Sequence, residues 1–343
     1  MSEPFRSPTA SPRTAGEELR SRHRLSVAPM LQLTDRHCRY FHRLLTRRAL
    51  LYTEMVTTGA LLHGEVARHL QFDAAEHPLA LQLGGSEPAD LARCARLGQD
   101  WGYDEINLNC GCPSERVQRG AFGACLMAEP MLVADCVKAM VDAVDVPVTV
   151  KHRIGIDRSE SFEFLLEFVG RVSEAGCKVF IVHARNAWLK GLSPKENRDI
   201  PPLRYETVHR LKREFPHLTI VVNGGITLSS QLQEQLQHVD GVMLGREAYH
   251  NPWWLSEWDA LFYGEVNVAQ SREQVEEAMV SYMERQAQAS GAAWYPIARH
   301  ILGLRHGLPG ARKWRQTWSD HRLRPLSAHE VMLRAHAPQI GLS

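Results

Sequence analysis

Three things are scarce in this sequence, and each scarcity narrows the reading. No apolar run approaches the roughly 18 residues needed to cross a bilayer as a helix, so no membrane partner is expected. The cysteines come in no paired pattern: Cys38, Cys94, Cys110, Cys112, Cys125, Cys136 and Cys177 are odd in number and scattered. The first residues also lack the apolar core of a signal peptide, so a secreted disulfide framework gives way to the expectation of a reduced, cytoplasmic protein. Charge of one sign is missing as well, with 40 Lys and Arg against 39 Asp and Glu and a net charge of +1. The chain as a whole therefore names no partner, and only the distribution of its charge is informative.

At 343 residues the chain suits a (β/α)₈ barrel of about 250 residues with an appendage. Apolar residues at 44% and charged residues at 23% are ordinary for a globular protein. Residues 1–24, rich in Ser, Pro, Thr and Arg, carry few large apolar side chains and are expected to form a disordered leader.

From Leu25 onward, short apolar runs recur at Leu25–Met30, Leu51–Val56, Leu79–Leu83, Glu105–Asn109, Val146–Val150, Val179–Val182, Thr219–Val222 and Gly241–Leu244. Segments such as Ser86–Gln99, Pro130–Val144, Ser159–Glu174 and Leu203–Glu214 have helical spacing between them. Continuous rather than alternating hydrophobicity marks parallel strands buried on both faces, and eight of them favour an α/β fold of the closed (β/α)₈ TIM-barrel type. A doubly wound sheet is the alternative, weakened because no G-x-G-x-x-G turn follows the first strand. After Gly264 the strands stop. Gln270–Ala287, Trp294–Leu304, Arg312–Leu323 and Ala328–Ala335 have helical spacing. The expected organisation is a leader (1–24), a barrel (25–263) and a small all-helical domain (264–343).

In such a barrel the chemistry gathers at the carboxyl ends of the strands. Those positions carry Ala28, Pro29 and Met30, then Glu54, Gln82, Asn107 to Cys112, Lys151 to Arg153, His183 to Arg185, Asn223, Gly224 and Gly225, and Gly245 with Arg246. One polar residue there is a cap or a turn, but a set at nearly every strand end is hard to explain as structure. The turns NGGI and GREA follow the seventh and eighth strands, where barrels bind phosphate; as a pair they favour that reading over tight turns alone. Lys151, ending PVTVK, could polarise a carbonyl, hold the electron-rich edge of a reduced ring or serve a salt bridge. His183 is either a satisfied core histidine or a ligand contact, and its neighbours tip it toward the ligand.

Cys112 stands in a Gly/Pro turn at the end of EINLNC. A free thiol, with a pKa of about 8.5, is mostly protonated at neutral pH and can donate a proton. Cys110 reads as an apolar filler, and zinc is disfavoured because no second Cys/His pair stands at finger-like spacing. In the appendage, Arg299, Arg305, Arg312, Lys313, Arg315, Arg322 and Arg324 are opposed only by Asp320, with Trp314 and Trp318 interleaved. That clustering suggests a polyanion surface with stacking groups.

Together these segments resemble the tRNA-dihydrouridine synthases. The resemblance rests on APM, YTEM, LQLGG, GYDEINLNCGCPS, GACLM, PVTVKHRIG, HARNAWLKGLSPKENRDIPPL, NGGI and DGVMLGREAY, in that order from Ala28 to Tyr249. SPKENR and TEMVTTGA are similar to the bacterial A subfamily, which acts on D-loop uridines 20 and 20a. The resemblance implies an oxidoreductase that reduces the uridine C5–C6 double bond with FMN, recharged by NADPH or NADH. It implies FMN contacts for Ala28, Pro29, Met30, Gln82, Lys151, His183, Asn223, Gly224, Gly225, Gly245 and Arg246, and proton donation by Cys112. It also implies tRNA contacts for Asn109, Lys195, Arg198 and Arg299, no metal and no stable protein partner. Cys110 departs from the aliphatic residue expected there. Two rival readings remain: an FMN-dependent reductase of a free small molecule, which has no need of a basic tail, and a tRNA-binding chaperone without catalysis.

Overall fold

A computed structural model of the protein describes residues 14–337. Nine parallel strands form its sheet: β1 (Leu25–Val27), β2 (Leu50–Tyr52), β3 (Val56–Thr57), β4 (Leu79–Gly84), β5 (Glu105–Cys110), β6 (Val148–Arg153), β7 (Val179–His183), β8 (Thr219–Asn223) and β9 (Gly241–Leu244). The order β2-β1-β9-β8-β7-β6-β5-β4-β3 closes on itself because β2 also pairs with β4, Leu51 opposite Leu79. The result is the expected eight-stranded barrel, with β3 a two-residue addition along the end of β4. The run Leu51–Val56, expected as one strand, is thus two. Thr53 takes the amide of Gln82 on its hydroxyl at 3.0 Å, and Glu54 accepts from the amide of Gln32. Polar side chains peel the chain off the sheet there.

The strands read as continuous apolar runs because both of their faces are buried, yet the two faces differ. Alternation sends Leu79, Leu81, Leu83, Ile106, Leu108, Cys110, Val150, Phe180 and Val182 outward into the large core beneath the helices. A smaller cluster fills the barrel interior, with Leu50, Tyr52, Ala80, Val179, Ile181, Val221 and Met243. Each fully buried aliphatic side chain of this kind contributes about 1.5–3 kcal/mol relative to exposure. Helices Pro88–Asp100 and Pro130–Val141 both carry Pro at their start, where its missing N–H costs nothing.

The expected disordered leader needs correction over its second half. Residues 1–13 lie outside the described residues, but Ala15–Arg22 is a helix. Thr14 and Glu17 form a reciprocal capping box. Arg20 reaches the carbonyl of Pro216 and Arg22 that of Asp104, at 3.3 and 3.2 Å, while Leu19 packs against the interior cluster. Low hydrophobicity is offset here by caps and side-chain-to-backbone bonds.

Beyond the barrel, helices Arg272–Ser290, Ala311–Ser319 and Ala328–His336 form the expected helical region, of which residues 338–343 are not described. The stretch Arg312–Leu323, read as one helix, divides because Asp320 is extended and caps the next turn by accepting from the amide of Arg322. The stretch Trp294–Leu304 divides likewise, into Tyr295–Ala298 and a 3₁₀ turn at Ile301–Gly303. Trp314 and Trp318 do not offer stacking surfaces. Each is only 3% exposed, and both indole N–H groups donate to one oxygen of fully buried Glu276, at 2.8 and 3.0 Å. His336 and Arg305 reach the other oxygen at 2.9 and 3.3 Å, so one carboxylate ties the region together.

Candidate active site

Cys112 sits two residues beyond β5 in a turn shaped by its neighbours. Asn109, the last inward-facing residue of that strand, accepts the amides of both Gly111 and Cys112 on its Oδ1 at 3.0 Å. The Cys112 carbonyl accepts from Ala124 at 2.9 Å, and its thiol, half-buried, lies 3.6 Å from the Ser114 hydroxyl. Gly123 makes this approach possible: its φ is +80°, and a Cβ there would lie 2.6 Å from the Cys112 carbonyl oxygen. Cys110, two residues back, instead faces the helices, fully buried, and burial pushes its thiol well up.

Lys151 projects inward from β6 and donates to Asn223 Oδ1 at 3.2 Å, while Asn223 itself donates to the carbonyl of Met243 at 2.8 Å. Burial, with the charge of Arg153 adding, lowers the Lys151 pKa to about 7. His183, inward on β7, is driven well below its usual value by burial and then by Arg153, Lys151, Arg185 and Arg198, and so stays neutral at physiological pH. Beside it, Gly224 and Gly225 have φ of +118° and +70°. A Cβ on Gly224 would stand 2.6 Å from the His183 ring, and one on Gly225 would meet Leu203 at 2.3 Å. At the next strand end, a Cβ on Gly245 would touch Ala28 and Met30 at 3.9 Å, an ordinary contact, so this turn is less tightly filled.

The structure therefore brings Gln82, Asn109, Cys112, Lys151, His183, Asn223, Gly224, Gly225, Gly245, Arg246 and the Ala28–Met30 segment to the carboxyl ends of the strands. Arg246 opens the helix after Gly245 and pairs with Asp199 at 2.7 Å, both half-exposed. Lys195 and Arg198 are exposed in the loop after β7. Arg299, in the helical region, bridges at 2.7 Å to Asp35, which caps the helix following β1. Burial alone would raise the Asp35 carboxyl, but His300 and Arg299 hold it well below the carboxylate range. Arg299 is thus a strut between barrel and helical region.

Other contributors carried no role in the sequence reading. Arg153, only 3% exposed, donates to the carbonyls of Gly111 at 3.2 Å and Asn197 at 3.0 Å, tying the cysteine turn to the loop after β7. Gln118 bridges the carbonyls of Pro113 and Leu189, both at 2.8 Å. The signal for Arg153 was its place two residues after Lys151 on the same strand, which puts both on one face. With Arg153, Arg185, Arg198, Arg246 and Lys151 around it, the mouth is electropositive, suited to an anionic ligand.

A family model described as "Dihydrouridine synthase (Dus)" matches residues 26–333. The chain is 57% identical over 315 residues to the tRNA-dihydrouridine(20/20a) synthase of Vibrio vulnificus, covering 92% of this chain and 96% of that one. It is 60% identical over 296 residues to the protein of that name from Pseudomonas aeruginosa, covering 86% and 89%. It is 57% identical over 311 residues to the one from Synechocystis sp., covering 91% and 93%. Among solved structures, a 2-naphthoyl-CoA reductase in complex with 2-naphthoyl-CoA is similar at a TM-score of 0.53 and 11% identity. That likeness covers 68% of this chain and about half (49%) of the other, and concerns the fold alone.

Proposed function

Because the chain belongs to the dihydrouridine synthase family, we infer that it reduces the C5–C6 double bond of D-loop uridines 20 and 20a in tRNA. The observation that carries this reading is the Cys112 turn at a barrel mouth lined by Lys151, His183 and two glycine turns. The family is flavin-dependent, and the residues fit such a group. The turns at Gly224 and Gly225 admit no added side chain, and Lys151 is a half-buried amine that donates to a side-chain amide oxygen. We assign the flavin as FMN, with Gly224, Gly225, Gly245 and Arg246 around its phosphate. Gln82, Lys151, His183, Asn223 and the segment Ala28, Pro29 and Met30 would lie along its ring. When bound, the flavin supplies the hydride to C6 of the uracil, and NADPH or NADH renews it.

The chain's own residues do the rest. Asn109 fixes the turn that aims Cys112, whose thiol gives a proton to C5 of the uracil. The positive charges of Lys151 and Arg153 interact with the Cys112 sulfur, so they stand beside the group that gives up the proton. Lys195, Arg198 and the exposed residues Arg312, Lys313 and Arg315 supply positive charge toward tRNA, consistent with a helical region (264–343) that grips RNA beside a barrel (25–263) that does chemistry. A uridine within folded tRNA must leave its stack to reach Cys112. No described helix is long and apolar enough to cross a membrane, and a tRNA substrate places the work in the cytoplasm. The deciding experiment is mapping dihydrouridine in tRNA from cells lacking the gene. Persistence of the modification at 20 and 20a would overturn the assignment, whereas loss only there supports it.

Two further outcomes test the parts. Lys151 is a cation below about pH 7 and neutral above, since its pKa is lowered. FMN affinity should therefore weaken as pH rises from about 6 to 8, and Lys151→Met should be weak and flat with pH. Equilibrium dialysis of FMN across that range checks both, and a pH-independent wild type would remove Lys151 from the ring. Arg312→Glu should raise KM for tRNA and flatten the slope of log Kd against log salt by about 0.7–0.9, with NADPH oxidation by an artificial acceptor unchanged. An unaltered slope would take that helix out of the RNA surface.

A further inference from the structure

We propose that Glu105 is a positioning residue for the Cys112 turn, acting through a file of hydrogen bonds that runs up the barrel interior and fixes which way the Gln82 and Asn109 amides point. The proposal rests on the catalytic reading of Cys112 given above. Glu105 opens β5, fully buried, on the inward face shared with Asn107 and Asn109. Its Oε1 accepts from the Tyr52 hydroxyl at 2.8 Å and the Thr149 hydroxyl at 2.6 Å. Its Oε2 lies 2.9 Å from Nε2 of His23, also fully buried and delivered by the end of the amino-terminal helix. Burial and then the Glu105 charge push the Tyr52 pKa well up, so that hydroxyl remains a donor.

A carboxylate at the root of the file accepts and does not donate, and this sets the polarity of everything above it. Thr149 has one hydrogen and directs it to Glu105, so its oxygen is left to accept, and Asn107 donates to it from Nδ2 at 2.8 Å. With its nitrogen turned down, Asn107 turns its oxygen up, where it accepts from Gln82 Nε2 at 2.8 Å. Gln82 then offers Oε1 to Asn109 Nδ2 at 2.8 Å. Asn109 is left with Oδ1 facing the turn, where the amides of Gly111 and Cys112 both donate to it. Side-chain amides can ordinarily be placed either way round. Here the carboxylate at one end and two backbone N–H groups at the other admit a single direction. Reversing any amide would set donor against donor.

The test uses full-length, flavin-loaded protein carrying Glu105→Gln, Thr149→Val or both. Glu105→Gln gives the root a donor of its own; Thr149→Val cuts the file while keeping the side chain's shape. Alkylation of Cys112 by iodoacetamide is followed by peptide mass spectrometry. Cys125 is the internal control, a half-buried thiol off the file that donates to the Phe122 carbonyl. Each single variant should speed Cys112 alkylation by about threefold or more, as the turn loosens locally, with Cys125 unchanged. The double variant should add nothing to either single one, as for residues acting in one series. The kcat for uridine reduction should fall about tenfold, since small misplacements of a reacting group are costly, with KM for tRNA unchanged. Wild-type Cys112 alkylation in both variants, an equal rise at Cys125, or additive effects in the double variant would each overturn the proposal. Thr149→Val alone carries the test if Glu105→Gln does not fold. Alkylation needs no tRNA, so a wild type inactive on uridine would refute the proposed function while the file is still tested.

Discussion

Replacing Cys112 with alanine should lower the rate of uridine reduction by about 10²–10⁴-fold, the usual loss for a positioned general acid, while FMN stays bound and is still reduced by NADPH. The separation is expected because the thiol lies in the turn after β5, whereas the residues assigned to the flavin come mostly from the other strand ends. Cys110→Ala is the matched control, since that side chain is fully buried and faces the helices. It should cost stability through a small cavity and leave the chemical rate close to wild type. Single-turnover mixing of pre-reduced enzyme with unmodified tRNA measures the step directly. If the Cys110 variant were the dead one, or Cys112→Ala kept wild-type turnover, the proton would have to come from elsewhere.

The second large effect is expected at Glu276, far from the mouth. Two indole N–H groups, Arg305 and His336 all point at this fully buried carboxylate. Glu276→Ala leaves the two buried indole N–H groups without an acceptor, each costing about 1–3 kcal/mol, while Arg305 keeps only its 2.7 Å pair with Glu273. The helical region should then unfold at lower denaturant than the barrel, seen as an early change in tryptophan fluorescence with flavin retained. Activity on tRNA should fall through KM before kcat. A single unfolding transition at the wild-type midpoint would show that the carboxylate is dispensable.

The barrel was legible from sequence because strands buried on both faces leave long apolar runs, and its mouth was legible because polar residues gather where those runs end. The interior was less so. In EINLNC, Glu105, Asn107 and Asn109 occupy every second position, a period that marks one face of a strand, yet a polar file inside a barrel looks the same as a strand with one wet face. Trp314 and Trp318 show the converse. Their spacing fixes them on one side of a helix but says nothing of which side, and only the distant Glu276 turns that side inward. The amino-terminal helix escaped because its stability comes from a capping box and from bonds to carbonyls nearly 200 residues away, at Pro216.

That helix also marks one end of the barrel. Arg22 bonds the carbonyl of Asp104, just before β5, Arg20 that of Pro216, just before β8, and Arg20 also approaches Asp240, just before β9. All three anchor points lie on the face where strands begin, so the helix is held at the end of the barrel opposite the mouth. A fluorophore or surface tether on an exposed position of this helix, such as Glu18, would sit beneath the barrel with the mouth turned to solution, and immobilised enzyme could be supplied with RNA from above without steric competition from its own anchor.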